Sequence, residues 1–217
     1  MSANAERRLG EDPLPQTAAA AAAMRRLVDL LLVQEGPHPA VDDMLTRFAD
    51  WEAQLTATAP TDYAPRIGEA DGDYGRRVYL QHAFYVGAYN PCFPEYRFDR
   101  LDAETASGSV TFPLAFEGPP GLVHGGTLGA FFDCVTQHQS CAVGRSGKTR
   151  SLTVRYRRPT PVLTELTFDI TRTETDRGLL STARLLRDGE VLCTAEVDTV
   201  ALSPEQLAGA RYGRRRT

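Results

Sequence analysis

The stretch GLVHGGTLGAFFDC, residues 121–134, sets a histidine and two glycines directly ahead of an apolar run that carries a single acid, Asp133. From Gly125 to Val143 almost every position is apolar or small until Gln137, which reads as a helix buried on most sides by a sheet. Two adjacent glycines at the start of such a helix leave its first N–H groups approachable. Those donors have no partner within the helix, and the macrodipole makes that end electropositive. A carbonyl oxygen that gains charge during acyl transfer can be held there. Asp133 lies eight residues beyond Gly125, about 12 Å along the axis at ~1.5 Å per residue. An acid so far away cannot act on a carbonyl held by its own helix. Joint chemistry of the two groups therefore calls for a two-fold dimer, in which the neighbour's Asp133 faces this chain's Gly125 and the reverse contact follows by symmetry.

The flanks supply the sheet. RVYLQHAFYVG (77–87) and YRFDRLDAETASGSVTFPLA (96–115) are rich in β-branched and aromatic residues and read as strands, with AYNPCFP (88–94) as the turn between them. After the helix, residues 150–158, 165–176, 178–188 and 190–202 read as four more strands. TDRG and RDGE join them as hairpin turns, the second with the Asp-Gly pair that tolerates a positive φ. Alternation in LTVRYR and LTFDIT predicts a sheet with one covered face. The fold class is α+β: an antiparallel sheet wrapped around one long central helix.

A helical extension precedes this unit. Residues 1–16 read as a disordered N-terminus, 17–76 as helices and a linker, 77–203 as the main domain and 204–217 as a basic tail. Alanines and leucines favour a first helix from Thr17 to about Gln34, stopped by EGPHP. In a second helix Pro39 suits the first turn, and Val41, Met44, Leu45, Phe48, Trp51 and Leu55 recur at three- and four-residue spacing, an apolar stripe expected to pack onto the main domain.

Composition narrows the function. The 217 residues carry a formal charge of −4 with mixed signs, which speaks against a nucleic-acid surface, and RYGRRRT reads as a solvated end. The four cysteines form no CxxC pair and have no histidine at zinc-finger spacing, so a cytoplasmic protein with reduced thiols and no structural metal is expected. MRRLVDLLLVQEG is interrupted by Asp29 and Gln34, short of the about 20 apolar residues of a membrane span.

The segments GPPGLVHGGTLGAFFD and KTRSLTVRYRRPTPV resemble the hotdog-fold acyl-CoA thioesterases, in particular their PaaI-like group, over a region from about Asn90 to Leu202. His-Gly-Gly with an acid nine residues after the histidine is the specific part of the match, and Thr149 stands where that group places a Ser or Thr ahead of the Tyr-x-Arg-Pro strand. The resemblance implies hydrolysis of an acyl-CoA thioester with no metal or redox cofactor, by a homodimer or a dimer of dimers. It implies that Gly125, with or without Gly126, binds the thioester oxygen. Asp133 of the other subunit would act as general base or as nucleophile, and Thr149 would orient the water or the carboxylate. His124 either sets the turn by bonding the backbone or touches substrate. Arg157 and Arg158 either meet the phosphates of coenzyme A or form a solvated strand end. The chain departs from the pattern upstream, where FEGPPGLV offers only Glu117 in place of an Asn or Gln. His138 is expected to cap the polar end of the helix, and Cys134 and Cys141 to pack. Two other readings stand beside hydrolysis: a non-catalytic acyl-CoA-binding module, and a hydratase, which would want a catalytic histidine on the helix.

Overall fold

The strand that shows the alternation most clearly, β4 (Glu165–Thr175), turns Leu166, Phe168, Ile170 and Arg172 to one buried face and leaves the intervening residues outward. That period of two is the mark of a sheet covered on one side. In the computed structural model, which describes residues 15–59, 85–142, 146–176 and 178–202, β4 belongs to a six-stranded antiparallel sheet of order β1-β2-β4-β5-β6-β3. Its other members are β1 (Tyr96–Leu101), β2 (Thr105–Thr111), β3 (Ser146–Tyr156), β5 (Gly178–Arg187) and β6 (Glu190–Leu202). The RDGE turn behaves as its sequence predicts: Asp188 and Gly189 have φ of 50° and 82°, and Arg187 pairs directly with Glu190. At Gly108 the backbone of β1 crosses so closely that a Cβ would strike the carbonyl oxygen of Arg97, so only glycine fits.

Between β2 and β3 runs the central helix. With α1 (Pro15–Leu32), α2 (Pro39–Thr58) and the one-turn α3 (Val86–Tyr89) preceding it, it is α4 (Gly125–Ala142). Phe131, Phe132 and Val135 are fully buried against the sheet, together with Phe112, Leu166 and Leu185. Phe131 meets both Phe112 and Phe168 edge to face at a centroid distance of 5.4 Å, which adds directional attraction to the burial.

His138 differs from its expected role. It does not cap the helix end but lies on the sheet-facing side of α4, a full turn before the last residue, and is 6% exposed. The rings of Tyr85, Tyr96 and Phe98 surround it, and its Nδ1 is 2.9 Å from the Tyr96 hydroxyl. Burial pushes the Tyr96 phenol well above its usual range, so Tyr96 keeps its proton and its hydroxyl shares one hydrogen bond with Nδ1.

The extension also departs from expectation. Helix α1 begins at Pro15 and docks through Arg25, which is buried and donates to the Asn90 carbonyl at 3.0 Å and to Glu95 at 3.1 Å. Asp29 accepts from the Ala115 amide. Helix α2 has the expected Pro39 in its first turn, and His38 caps it by accepting from the Ala40 amide. Its apolar stripe, however, is largely uncovered among the described residues: Leu45, Phe48, Trp51 and Leu55 are between 42% and 70% exposed, and only Val41 and Met44 are half-buried. The attachment of α1 rests on the buried Ala21 and on the polar contacts of Arg25, and α2, beyond the link through Pro37 and Pro39, does not turn its stripe to the described core. Residues 86 and 87, expected to end a strand, instead begin the helical turn Val86–Tyr89, which runs into the expected turn over 88–94. The N-terminal segment 1–14, residues 60–84 with most of the linker and the strand expected over 77–84, and the basic tail lie outside the described residues.

His138 gives the fold a pH dependence of definite sign. Burial pulls its imidazole down to about 4, from the ordinary value of 6.5, so the native state holds it neutral where the unfolded chain already binds a proton. Stability is therefore full above pH ~6.5 and falls as pH drops toward ~4, by up to about 3 kcal/mol. Urea unfolding of the wild type and of His138→Gln at pH 7 and pH 4.5 should show the larger loss in the wild type.

Candidate active site along the β3 face of the central helix

The first turn of α4 is shaped by two side chains, His124 and Tyr156. The Nδ1 of His124 accepts from the Gly126 amide at 3.0 Å, and the His124 carbonyl accepts from the Thr127 and Leu128 amides. His124 is thus the N-cap of the helix. The Gly126 N–H is taken by this cap. Among the described residues no acceptor takes the Gly125 N–H, which leaves it as the open donor of the turn. The Tyr156 hydroxyl, at the end of β3, donates to the Gly125 carbonyl at 2.9 Å. The glycines suit this fit: a Cβ on residue 125 would lie 3.1 Å from the Tyr156 oxygen and one on residue 126 3.2 Å from the His124 ring, tight contacts that would oblige those side chains to shift.

Two turns further on, Asp133 is half-buried on the same side of the helix. Its Oδ1 accepts from the Thr149 hydroxyl at 2.5 Å. Gln137, one turn later, donates from Nε2 to Thr149 Oγ1 at 3.1 Å and to Thr199 Oγ1 at 3.2 Å. The two threonines are direct cross-strand partners of β3 and β6. The structure therefore brings Asp133 and Thr149 together, and it adds Gln137, Thr199 and Tyr156, which sequence reading did not single out. Gln137 had a usable signal, since it stands four residues after Asp133 on the same helix face. Tyr156 and Thr199 had none, because their contacts depend on the docking and register of strands.

The remaining candidates are placed as follows. Arg157 and Arg158 follow Tyr156 directly, both amides donate to the Leu192 carbonyl, and Arg158 pairs with Glu190 at 2.9 Å on the surface. Glu117 accepts from the Gly121 amide and so fixes the Pro-Pro-Gly turn, in which Gly121 has a φ of 77°. Cys134 adjoins Asp133, but burial pushes its thiol up to about 12, which keeps it protonated and unreactive at neutral pH. Among the described residues no group of three or more His, Cys, Asp or Glu is placed to hold a metal. No described helix is long and apolar enough to cross a membrane. Two surface grooves exist, one over β1, β2, β4 and β5 and one between α1 and the β1–β2 edge, but neither is lined by Gly125 or Asp133.

No protein-family model and no curated protein matches the sequence. Among solved structures, a thioesterase superfamily protein aligns with a TM-score of 0.66 and 24% identity over 88% of this chain and 98% of its own. A hypothetical thioesterase protein with coenzyme A from Streptococcus pneumoniae TIGR4 aligns at 0.48 and 14% identity, over 50% of this chain and 90% of its own. A phenylacetic acid degradation-related protein from Ralstonia eutropha JMP134 aligns at 0.45 and 26% identity, over 49% of this chain and 84% of its own. The described chain has the α+β hotdog fold. The first of these matches covers more of the chain than the sheet and its helix, so the likeness extends into the helical N-terminal region.

Removing the cap tests the first-turn geometry without reference to activity. His124→Ala should cost about 1 kcal/mol of stability in denaturant unfolding, the usual loss when an N-cap acceptor is deleted.

Proposed function

We propose that two copies of the chain hydrolyse an acyl-CoA thioester to a free acid and coenzyme A. The observation that carries this reading is the half-buried Asp133 carboxylate held by Thr149 on the same helix face as the open Gly125 N–H. Burial of a carboxylate is costly without a purpose or a partner, and one hydroxyl occupies only one of its oxygens. In the proposed reaction the thioester oxygen accepts from the Gly125 N–H at the positive end of α4, where charge developing in the transition state is stabilised. Asp133 of the second copy takes a proton from water as the oxygen attacks the carbonyl carbon. The tetrahedral intermediate expels the thiolate, and the proton held by Asp133 passes to the leaving sulfur.

The two-fold arrangement is supported by β3. Among the described residues it is an edge strand with an unpaired side, and Leu152, Tyr156 and most residues between them are exposed. An uncovered edge of this length is a pairing surface, and a second copy laid antiparallel along it would carry Asp133 of each chain toward Gly125 of the other. Arg157 and Arg158, which follow the strand, are assigned to the phosphates of coenzyme A.

Release of thiol from short, long and aromatic acyl-CoAs tests the reaction, with binding followed in parallel. Asp133→Ala should lose at least ~10²-fold in rate while still binding, the scale of general-base catalysis. Equal binding without turnover by both proteins would replace hydrolysis with a binding module. Subunit sharing has its own check. Mixing Asp133→Ala with a Gly125→Val variant, each inactive alone, should restore activity, because one site of the mixed dimer retains both groups.

A further inference from the structure

Asp133 and Gln137 are one helical turn apart, and Thr149 lies across from both. A hydroxyl has one proton and two lone pairs, whereas an ionised carboxylate can only accept. The Thr149 proton is therefore committed to Asp133 only if the group on its other side donates. A carbonyl there would draw the same proton away and leave two oxygens facing each other. The Gln137 amide meets this condition: its NH2 group presents two N–H donors, and the structure points one at Thr149 and the other at Thr199. Thr199 is buried on β6 and opposite Thr149 in the ladder. The second contact gives the amide a second partner on the ladder, so both of its N–H donors are spent on hydroxyl oxygens.

We infer that Gln137 is a positioning residue for the reaction: by donating to Thr149 and Thr199 together it fixes the Thr149 hydroxyl so that its proton rests on Asp133 Oδ1. The other carboxylate oxygen is thereby left to meet the water. Among the described residues no donor reaches Asp133 Oδ2. This inference rests on the reading of Asp133 as the base, and goes beyond it in naming what orients the orienting hydroxyl.

The test is a double-mutant cycle between Gln137 and Thr149, read as kcat and KM for thiol release from an acyl-CoA that the wild type hydrolyses. Gln137→Met keeps the length of the side chain and removes its donors. It should lower kcat by about tenfold, the scale of one hydrogen bond, and change KM by less than about twofold. In a Thr149→Ala background the same substitution should lower kcat by less than about twofold, because its route to the carboxylate is already gone. Gln137→Glu, which can only accept at neutral pH, should be slower than Gln137→Met, and Thr149→Ser should restore sensitivity to Gln137→Met. A loss that persists undiminished in the Thr149→Ala background, or a Gln137→Met enzyme with wild-type kcat, overturns the positioning role while the base reading stands. A wild type without turnover, or an Asp133→Ala enzyme as fast as the wild type, overturns the reading of the site and this inference with it.

Discussion

Burial of α4 by the curved sheet is the constraint on which the rest depends. Phe131, Phe132 and Val135 occupy the sheet-facing side and are shut off from solvent, so the rotation of the helix about its axis is fixed by packing. That rotation decides which residues meet β3. Gly125 meets Tyr156, Gly129 lies beside Leu152, Asp133 meets Thr149, and Gln137 reaches Thr149 and Thr199. These four helix positions are spaced by four, the repeat that forms a ridge along one helix face. Two glycines at the start allow the strand to approach, and two polar residues at the far end bond to it. A slip of β3 by one residue along β6 would send Thr149 to the other face of the sheet, away from Thr199.

What the sequence made legible follows the same division. Period-two burial in β4 and β5, the Asp-Gly hairpin and the apolar run of α4 are local patterns enforced by one covered face, and all are readable without coordinates. Asp133 stood out because an acid among Phe and Cys conflicts with its surroundings. His138 was misread because its neighbours in sequence are polar, whereas its neighbours in space are Tyr85, Tyr96 and Phe98, brought from the β1 side of the sheet. The α2 stripe was misread for the opposite reason. Its spacing shows that a face can be buried, but spacing carries no information about whether the same chain supplies the cover. The roles of Tyr156 and Thr199 were out of reach, since each depends on where a strand ends against a helix or on a cross-strand pairing.

The two ends of α4 divide the electrostatic work between them. At the start, His124 takes the Gly126 donor and its carbonyl takes the next two, so the cap itself leaves a single open N–H at Gly125. One backbone donor is a weak anion site by itself, but the macrodipole adds a partial positive charge at the same point. The ring of His124, by accepting from the Gly126 amide, also holds the backbone turn from which this donor projects. Tyr156 contributes differently: by donating to the Gly125 carbonyl, it holds the peptide that follows Gly125 and ties the helix start to the end of β3.

A chain that keeps its donor and its acid two turns apart on one rigid helix cannot bring them together by local motion. The helix is packed on one side by the sheet and capped at its start, so bending it would break the aromatic contacts of Phe131 and the bonds of His124 together. The separation is therefore part of the design of the site under the proposed function, and only a second chain lying antiparallel can close it. The same rigidity explains why a hydroxyl as small as that of Thr149 can matter. With Asp133 fixed on the helix and Thr149 fixed on the ladder, the remaining freedom is one rotor, and a single amide on the next turn suffices to set it.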